Sequence, residues 1–273
     1  MIANNVHGGI VMEHFDFDGS LYRQASAHQR KWGHKIIEEL KIKESDWILD
    51  LGCGDGSLTK EFTRYLKTGK VIGLDASPGM LEKANEFSSP KLQFILKDVD
   101  SLRYENQFDL IFSNAALHWV FDHKRLLENC YKALKPGGKI RFNFASEGNC
   151  KTLYAVIRQT IREDVFSPCF SGFRWPWYMP SLEEYRLLLS QTPFLNISVW
   201  TEDTSRFFQS QDEITKWIDQ PCLVPFLQAI TNETEKKNFR DVVVKRMLKQ
   251  SLQPDHTYFE TFIRLNVKAE KPS

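Results

Sequence analysis

Four residues able to hold a polar ligand stand where short apolar runs give way to turns. Asp50 lies two residues before the first glycine of "GCGDG", in which Gly52, Gly54 and Gly56 alternate. Asp75 closes "KVIGLD", Asp98 follows "LQFILK", and Asn114 closes "FDLIFSN", just ahead of the pair His118 and Trp119. Glycines directly after an apolar run let the backbone come close to a ligand, because a Cβ would collide with it or prevent the turn. A carboxylate at a strand end can accept both hydroxyls of a ribose, and the next one along can accept the exocyclic amine of adenine. One such acid says little, since turns favour Asp. Ligand-type residues after three successive apolar runs, with a glycine loop before them, point to one site at the strand ends of an open sheet.

Those residues need a scaffold, and the chain supplies alternating strand and helix signals. "DWILDLG", "KVIGLD", "LQFILKD", "FDLIFSN" and "KIRFNFA" read as strands. Between them, "SLTKEFTRYLK" reads as a helix opened by Ser57, and "SPGMLEKANEF" as one with Ser77 as cap and Pro78 at its first position. "HKRLLENCYKALKPGG" reads as a helix stopped by Pro136 and Gly137. Strands alternating with helices predict an α/β fold: a parallel sheet with helices on both faces. Residues 1–20 lack any period and are expected to form a flexible arm; a helix is expected within 21–40, with Trp32, Ile36, Ile37 and Leu40 on one face. The domain reading is a ligand-binding core over 21–149, a helical cap over 150–255 that includes a late strand, and a final strand over 256–269.

Composition narrows the class. The chain has 273 residues, 42% of them hydrophobic, and a net charge of +1 from 36 basic and 35 acidic side chains. That is enough apolar content for a full core, and it supplies no field to steer nucleic acid or an anionic membrane. Five widely spaced cysteines, Cys53, Cys130, Cys150, Cys169 and Cys222, match neither a metal-ligating spacing nor a disulfide framework. No signal peptide and no apolar run of about 18 residues stands out, so a cytoplasmic protein without metal is expected.

The loop itself speaks against a dinucleotide. The dinucleotide fingerprint is G-x-G-x-x-G, whereas here the glycines alternate and Ser57 takes the last position. Asp50 adds an anion that a pyrophosphate would not welcome and that the ammonium of an aminoacyl sulfonium would.

"DLGCGDG", "GLDASPGM", "KDVD", "DLIFSNAALHW" and "ALKPGG", spread over residues 47–145, together resemble the successive motifs of class I S-adenosylmethionine-dependent methyltransferases. The resemblance implies a Rossmann-like sheet of seven strands with its last strand antiparallel, a helical cap insertion, and S-adenosylmethionine as cofactor. It also implies that Gly52, Cys53 and Gly54 line the methionine part, and that Asp75 with Ala76 holds the ribose. Asp98 and Val99 would frame the adenine, Met80 would pack on its face, Asn114 would sit below the sulfonium, and Tyr22 would cover the cofactor. Within the class the chain is similar to trans-aconitate methyltransferases, through "DLIFSNAALHW", "ITKWIDQPCLVPFLQAIT" and "FIRLNVKAE". His118 stands where those enzymes usually carry Gln. "LYRQASAHQR", "GCGDGS" and "LHW" resemble juvenile hormone acid methyltransferases, and a weaker likeness is to the malonyl-carrier-protein methyltransferase of biotin synthesis. All three imply a carboxylate acceptor.

Chemistry points the same way. A carboxylate, with a pKa of about 4, is ionised at neutral pH and needs no base, whereas a phenol or ammonium, at about 10, does. His118 is the one candidate base near the presumed site. By resemblance to the juvenile hormone acid enzymes, Gln29 and the Trp119 indole N–H would orient the acid, with His118 as a third donor. Trp119 could equally be core packing, and His118 a structural histidine. The patch "FRWPWYMP" offers Arg174, Trp175 and Tyr178 to an acid substrate, or else forms the packed elbow of a lid. Arg264 and Arg206 are further cations for a polyacid, or partners of surface acids. The expected activity is esterification of a small-molecule carboxylate by a monomer or homodimer, with no nucleic-acid or membrane partner. The alternatives are methylation of a phenolic oxygen, amine or carbon, or a non-catalytic cofactor-binding module.

Overall fold

The computed structural model of the chain describes residues 15–19 and 27–273. Its frame is a seven-stranded sheet of β1 (Trp47–Leu51), β2 (Lys70–Asp75), β3 (Leu92–Leu96), β4 (Phe108–Asn114), β5 (Leu134–Ala145), β6 (Leu195–Asp203) and β9 (Ile263–Glu270). A separate pair, β7 (Arg206–Phe208) and β8 (Tyr258–Glu260), forms a small antiparallel ribbon. The order across the main sheet is β3-β2-β1-β4-β5-β9-β6, parallel from β3 to β5, with β9 antiparallel to both neighbours. This is the Rossmann-like methyltransferase sheet that the motifs imply.

The central strands are apolar throughout because both faces are covered. On one face α1 (Ala27–Glu38) buries Ile36 and Ile37 against Ile48, Phe62 and Phe112. On the other, α3 (His123–Ala133), capped by Asp122 on the Arg125 N–H, buries Leu126, Leu127 and Cys130. Between β2 and β3 runs α2 (Pro78–Ala84), with Ser77 as cap and Pro78 leading it. Chain direction reverses its winding at β1, so a crevice opens beyond the carboxyl ends of β1 and β4. The glycine loop, Asp75, Asp98 and Asn114 all emerge on that edge.

Several local readings are corrected. The stretch after the glycine loop is a 3-10 turn, Thr59–Arg64, and Ser57 does not cap it. Its hydroxyl donates to Asp55 at 2.8 Å and is thereby consumed. The helix before "KPGG" ends at Ala133, and the strand starts at Leu134, since a residue preceding proline avoids helical backbone. Residues 150–255 are not a single cap. The cap cluster joins α4 (Lys151–Thr160), α6 (Gln211–Trp217), α7 (Val224–Ala229) and α8 (Glu233–Ser251). By contrast α5 (Leu182–Ser190) and β6 return to the main core through Tyr185, Leu189, Phe194 and Val199. The expected strand over 256–269 divides into β8 and β9. Its breakpoint is Glu260, buried so that its carboxylate accepts the N–H groups of Thr152, Leu153 and Thr261 and caps α4 from a distance.

The supposed flexible arm is pinned over its described part. Asp16 Oδ1 accepts from the Ser77 hydroxyl at 2.8 Å and the Gly79 N–H at 3.0 Å, while the Phe17 N–H donates to Ser77 Oγ at 3.1 Å. A Cβ on Gly79 would collide with the Phe17 carbonyl, so the close approach needs glycine. No described helix is long and apolar enough to cross a membrane.

Candidate active site at the strand ends

The glycine loop turns back on the sheet. The N–H groups of Gly52 and Cys53 both donate to the Leu74 carbonyl, at 2.8 and 2.9 Å, and Gly54 N–H donates to Asp75 Oδ2 at 2.8 Å. Gly52 has φ +70°, and a Cβ there would strike Ala116. Gly54 has φ +55°, with nothing within 4 Å of where its Cβ would project. That open space is a cavity of about 800 Å³ between the sheet edge and the cap.

Each strand end contributes in turn. From β2, Asp75 lines the cavity with both carboxylate oxygens anchored by backbone, the second by Ser77 N–H at 2.9 Å. Desolvation raises its pKa, and the backbone donors oppose that. Ala76 and Met80 follow it on the wall, and after β3 come Asp98 and Val99. Asp98 also accepts the Asp100 N–H at 2.8 Å and so shapes its own turn. From β4, Asn114 donates through Nδ2 to the Gln29 carbonyl at 3.0 Å. Beyond it lies a short turn, Leu117–Trp119, held from below by His123, whose Nε2 meets the Leu117 carbonyl at 3.0 Å. A carbonyl only accepts, so His123 carries its proton there and takes the Tyr185 hydroxyl on Nδ1.

Among the described residues of the cavity wall, the buried atoms Gln29 Oε1, Asn114 Oδ1 and His118 Nδ1 lack a protein partner. Unsatisfied buried polar atoms are costly, and a cluster of them on a cavity calls for a ligand. Two are acceptors that an ammonium group would satisfy, and a Cβ on Gly54 would fill space that ligand needs. An aminoacyl adenosyl sulfonium therefore fits the residues present. Asp50 and Cys53 lie just behind, on a small recess of about 50 Å³ that also touches Gln29, Gly54 and Asn114. Burial lifts the Asp50 pKa to about 7, opposed by the Thr59 hydroxyl at 2.7 Å and aided by Asp75. The Cys53 thiol is pushed well up by burial and is inert at neutral pH.

His118 is neutral. Burial first, then the nearby Arg264 and His123, bring its pKa down to about 3. Its neighbour Trp119 stands between Phe15 and Phe17 on one side and Trp177 on the other, at centroid distances of 5.5–5.8 Å. Phe15 and Phe17 belong to the pinned segment, which Gln228 also ties to the cap through the Asp16 carbonyl at 3.0 Å. Phe15, Phe17, Ser77 and Gln228 all line the cavity, and sequence reading assigned none of them to it. Only the capping position of Ser77 carried a local signal; the rest depend on chain segments more than 60 residues apart meeting.

The structure brings Gln29, Gly52, Gly54, Asp75, Asp98, Asn114, His118, Trp119 and Arg174 to one cavity. Arg174 stacks over Phe121, 3.8 Å from its centroid. Three expected substrate residues lie elsewhere. Trp175 packs inside the cap against Tyr154, Trp177 and Phe226, because an indole at that point completes an aromatic cluster. Tyr178 faces away: its hydroxyl donates to Glu184 at 2.6 Å, and its N–H donates to the His118 carbonyl at 2.8 Å. Arg264 is buried beneath the site and spends its guanidinium on Asn143. Arg206 pairs with Glu213. Tyr22 lies outside the described residues.

A methyltransferase-domain family matches residues 48–138, the span from β1 into the start of β5. Trans-aconitate 2-methyltransferase from Escherichia coli O157:H7 is 25% identical over 258 residues, 94% of this chain and 98% of that one. The enzyme of the same name from Enterobacter sp. (strain 638) is 27% identical over 222 residues, 81% of this chain and 85% of that one. Among solved structures, phosphoethanolamine N-methyltransferase 2 from Haemonchus contortus, in complex with S-adenosyl-L-methionine, superposes with a TM-score of 0.60 at 19% identity. It matches 93% of this chain and 57% of that one, a likeness of fold. With its strand order, glycine loop and cavity, the chain is a class I S-adenosylmethionine-dependent methyltransferase that resembles the trans-aconitate 2-methyltransferases.

Proposed function

We propose that this enzyme methylates a carboxylate oxygen of a small molecule. The reading rests on the setting of His118, the one imidazole among the described residues of the cavity wall, buried near the Arg264 guanidinium. With a pKa of about 3 it is roughly seven units too weak to deprotonate a phenol or an ammonium group, both near 10. As a neutral imidazole it still offers one N–H, and the open Nε2 is the ring nitrogen suited to donate it toward the cavity, since the buried Nδ1 has no acceptor. An acceptor that arrives already ionised needs only such donors. Gln29, His118 and the Trp119 indole would aim the acid, and positioning then does most of the catalytic work.

On the cofactor side, Asp75 and Ala76 hold the ribose, Asp98 and Val99 the adenine, and Met80 its face. Gly52, Cys53 and Gly54 accommodate the amino-acid end, with its ammonium near the spare acceptors of Asn114 and Gln29 and facing Asp50. The sulfonium bound there supplies an electrophilic methyl group, and its transfer to the acid leaves a neutral thioether. Aromatic walls from Phe15, Phe17 and Trp119 keep water away from that exchange.

The relatives' name supports an acid substrate, but a tricarboxylate would want several cations. Among the described residues lining the cavity, Arg174 is the one cationic side chain. A monoacid with an apolar body suits such walls better. The test is incubation with methyl-labelled cofactor and a mixed acid library, with mass spectrometry of the products before and after mild alkali. Label released as methanol supports an ester; label that survives alkali refutes it.

A further inference from the structure

Beneath the cavity a buried polar ladder crosses from β5 to β9. Arg264 is 3% exposed. Its Nε and Nη2 donate to Asn143 Oδ1 at 2.9 and 2.7 Å, Nη2 donates also to the Asn143 carbonyl at 3.1 Å, and the guanidinium lies over the Trp32 ring. Asn143 Nδ2 donates in turn to Asn266 Oδ1 at 2.9 Å, which fixes the orientation of the carboxamide. The same Asn143 carbonyl accepts the Ala115 N–H at 2.7 Å.

Ala115 is the unusual residue here. Its φ is +59°, left-handed backbone that costs a residue with a Cβ on the order of 1 kcal/mol and persists only where the surroundings impose it. It stands between Asn114 and the turn that presents His118 and Trp119. Its direction therefore decides where those side chains enter the cavity. We infer that Arg264 is the positioning residue of this turn: by gripping Asn143 at both its carboxamide and its carbonyl, it fixes the acceptor from which Ala115 hangs.

The same arrangement bears on charge. Among the described residues, the charged or titratable groups facing His118 are Arg264 on β9, His123 on α3 and, by its N–H on the His118 carbonyl, Tyr178, whose hydroxyl reaches Glu184. Arg264 is the permanent cation of that set, so removing it relaxes one cause of the imidazole's neutrality. The inference rests on this cavity being the methyl-transfer site, whichever atom accepts the methyl group.

The test uses the whole chain labelled with nitrogen-15 histidine, as wild type, Arg264→Lys and Arg264→Gln, with His118→Gln to assign the ring signals. The readouts are ring shifts from pH 5 to 8 and calorimetric affinity for S-adenosylhomocysteine. Arg264→Lys keeps a cation but not the planar fork, so His118 stays neutral while affinity falls about tenfold. Arg264→Gln loses both, so affinity falls and the His118 ring shifts move from their wild-type values while burial keeps the imidazole neutral. Folded variants with wild-type affinity and unchanged His118 shifts would overturn the inference. Should Arg264→Gln fail to fold, the affinity of Arg264→Lys decides alone. Failure of the carboxylate reading would appear only in the reaction products and would leave both readouts as they are.

Discussion

Replacing Asp50 by Asn should stabilise the ligand-free protein by an amount that grows as pH rises from about 4 and levels off above about 7. Asp50 is buried at the foot of the glycine loop with a pKa near 7, against 3.8 for an unfolded aspartate. The sign follows from proton counting. Between pH 3.8 and 7 the folded chain holds a proton that the unfolded chain has released, so stability falls as pH rises through that window. Above pH 7 the loss is complete. About three pKa units at about 1.36 kcal/mol each make it on the order of 4 kcal/mol. Asn carries no charge to desolvate, and its carbonyl can still accept the Thr59 hydroxyl that now meets Asp50 at 2.7 Å. Scanning calorimetry from pH 4 to 9 should show the variant and wild type close together at pH 4. They should separate at pH 8, with the variant's Tm higher by roughly 10 °C. Affinity for S-adenosylmethionine should fall in the same variant, because the carboxylate proposed to face the ammonium is gone. Parallel Tm curves across the whole range would refute the reasoning, since they would mean that Asp50 is already ionised and compensated in the fold.

Gly54→Ala adds a methyl group that meets no protein atom within 4 Å but carries φ +55°. Stability should drop by only about 1 kcal/mol, while S-adenosylhomocysteine affinity, measured by calorimetry, falls by tenfold or more. His118→Ala should lower kcat/KM about tenfold without altering its pH profile, which stays flat from pH 6 to 9 in both proteins. A rate that climbs to pH 9 in wild type and not in the variant would make His118 a base. Arg174→Ala should raise KM for the acid about tenfold with kcat kept, the signature of lost ground-state binding, as steady-state kinetics would report.

The strap over the cavity shows how much depends on distant contacts. Asp16, Ser77 and Gln228 come from three separate parts of the chain, and their hydrogen bonds bring Phe15 and Phe17 against Trp119. Nothing in the local sequence around Asp16 distinguishes it from an acid in a loose arm. Its role exists only because Ser77, while capping its own helix, has a hydroxyl proton left to donate.

What the sequence determined by itself is everything encoded at short range. Apolar runs of five to seven residues, Pro78 behind its Ser77 cap, and glycines where φ is positive specify strands, helices and a loop whatever surrounds them. Because parallel strands point the same way, their ends had to lie on one edge, so the meeting of Asp75, Asp98 and Asn114 on one cavity was legible before any contact was known. Charge states and side-chain directions were not. His118 is neutral first because folding buries it and then because Arg264 and His123 come near, and Arg264 faces Asn143 instead of the cavity because β9 runs antiparallel beside β5. Likewise Trp175 and Tyr178, three residues apart in one aromatic run, turn toward the cap and toward Glu184. Burial and electrostatics sum over neighbours brought together by folding, and no spacing along the chain states which neighbours those will be.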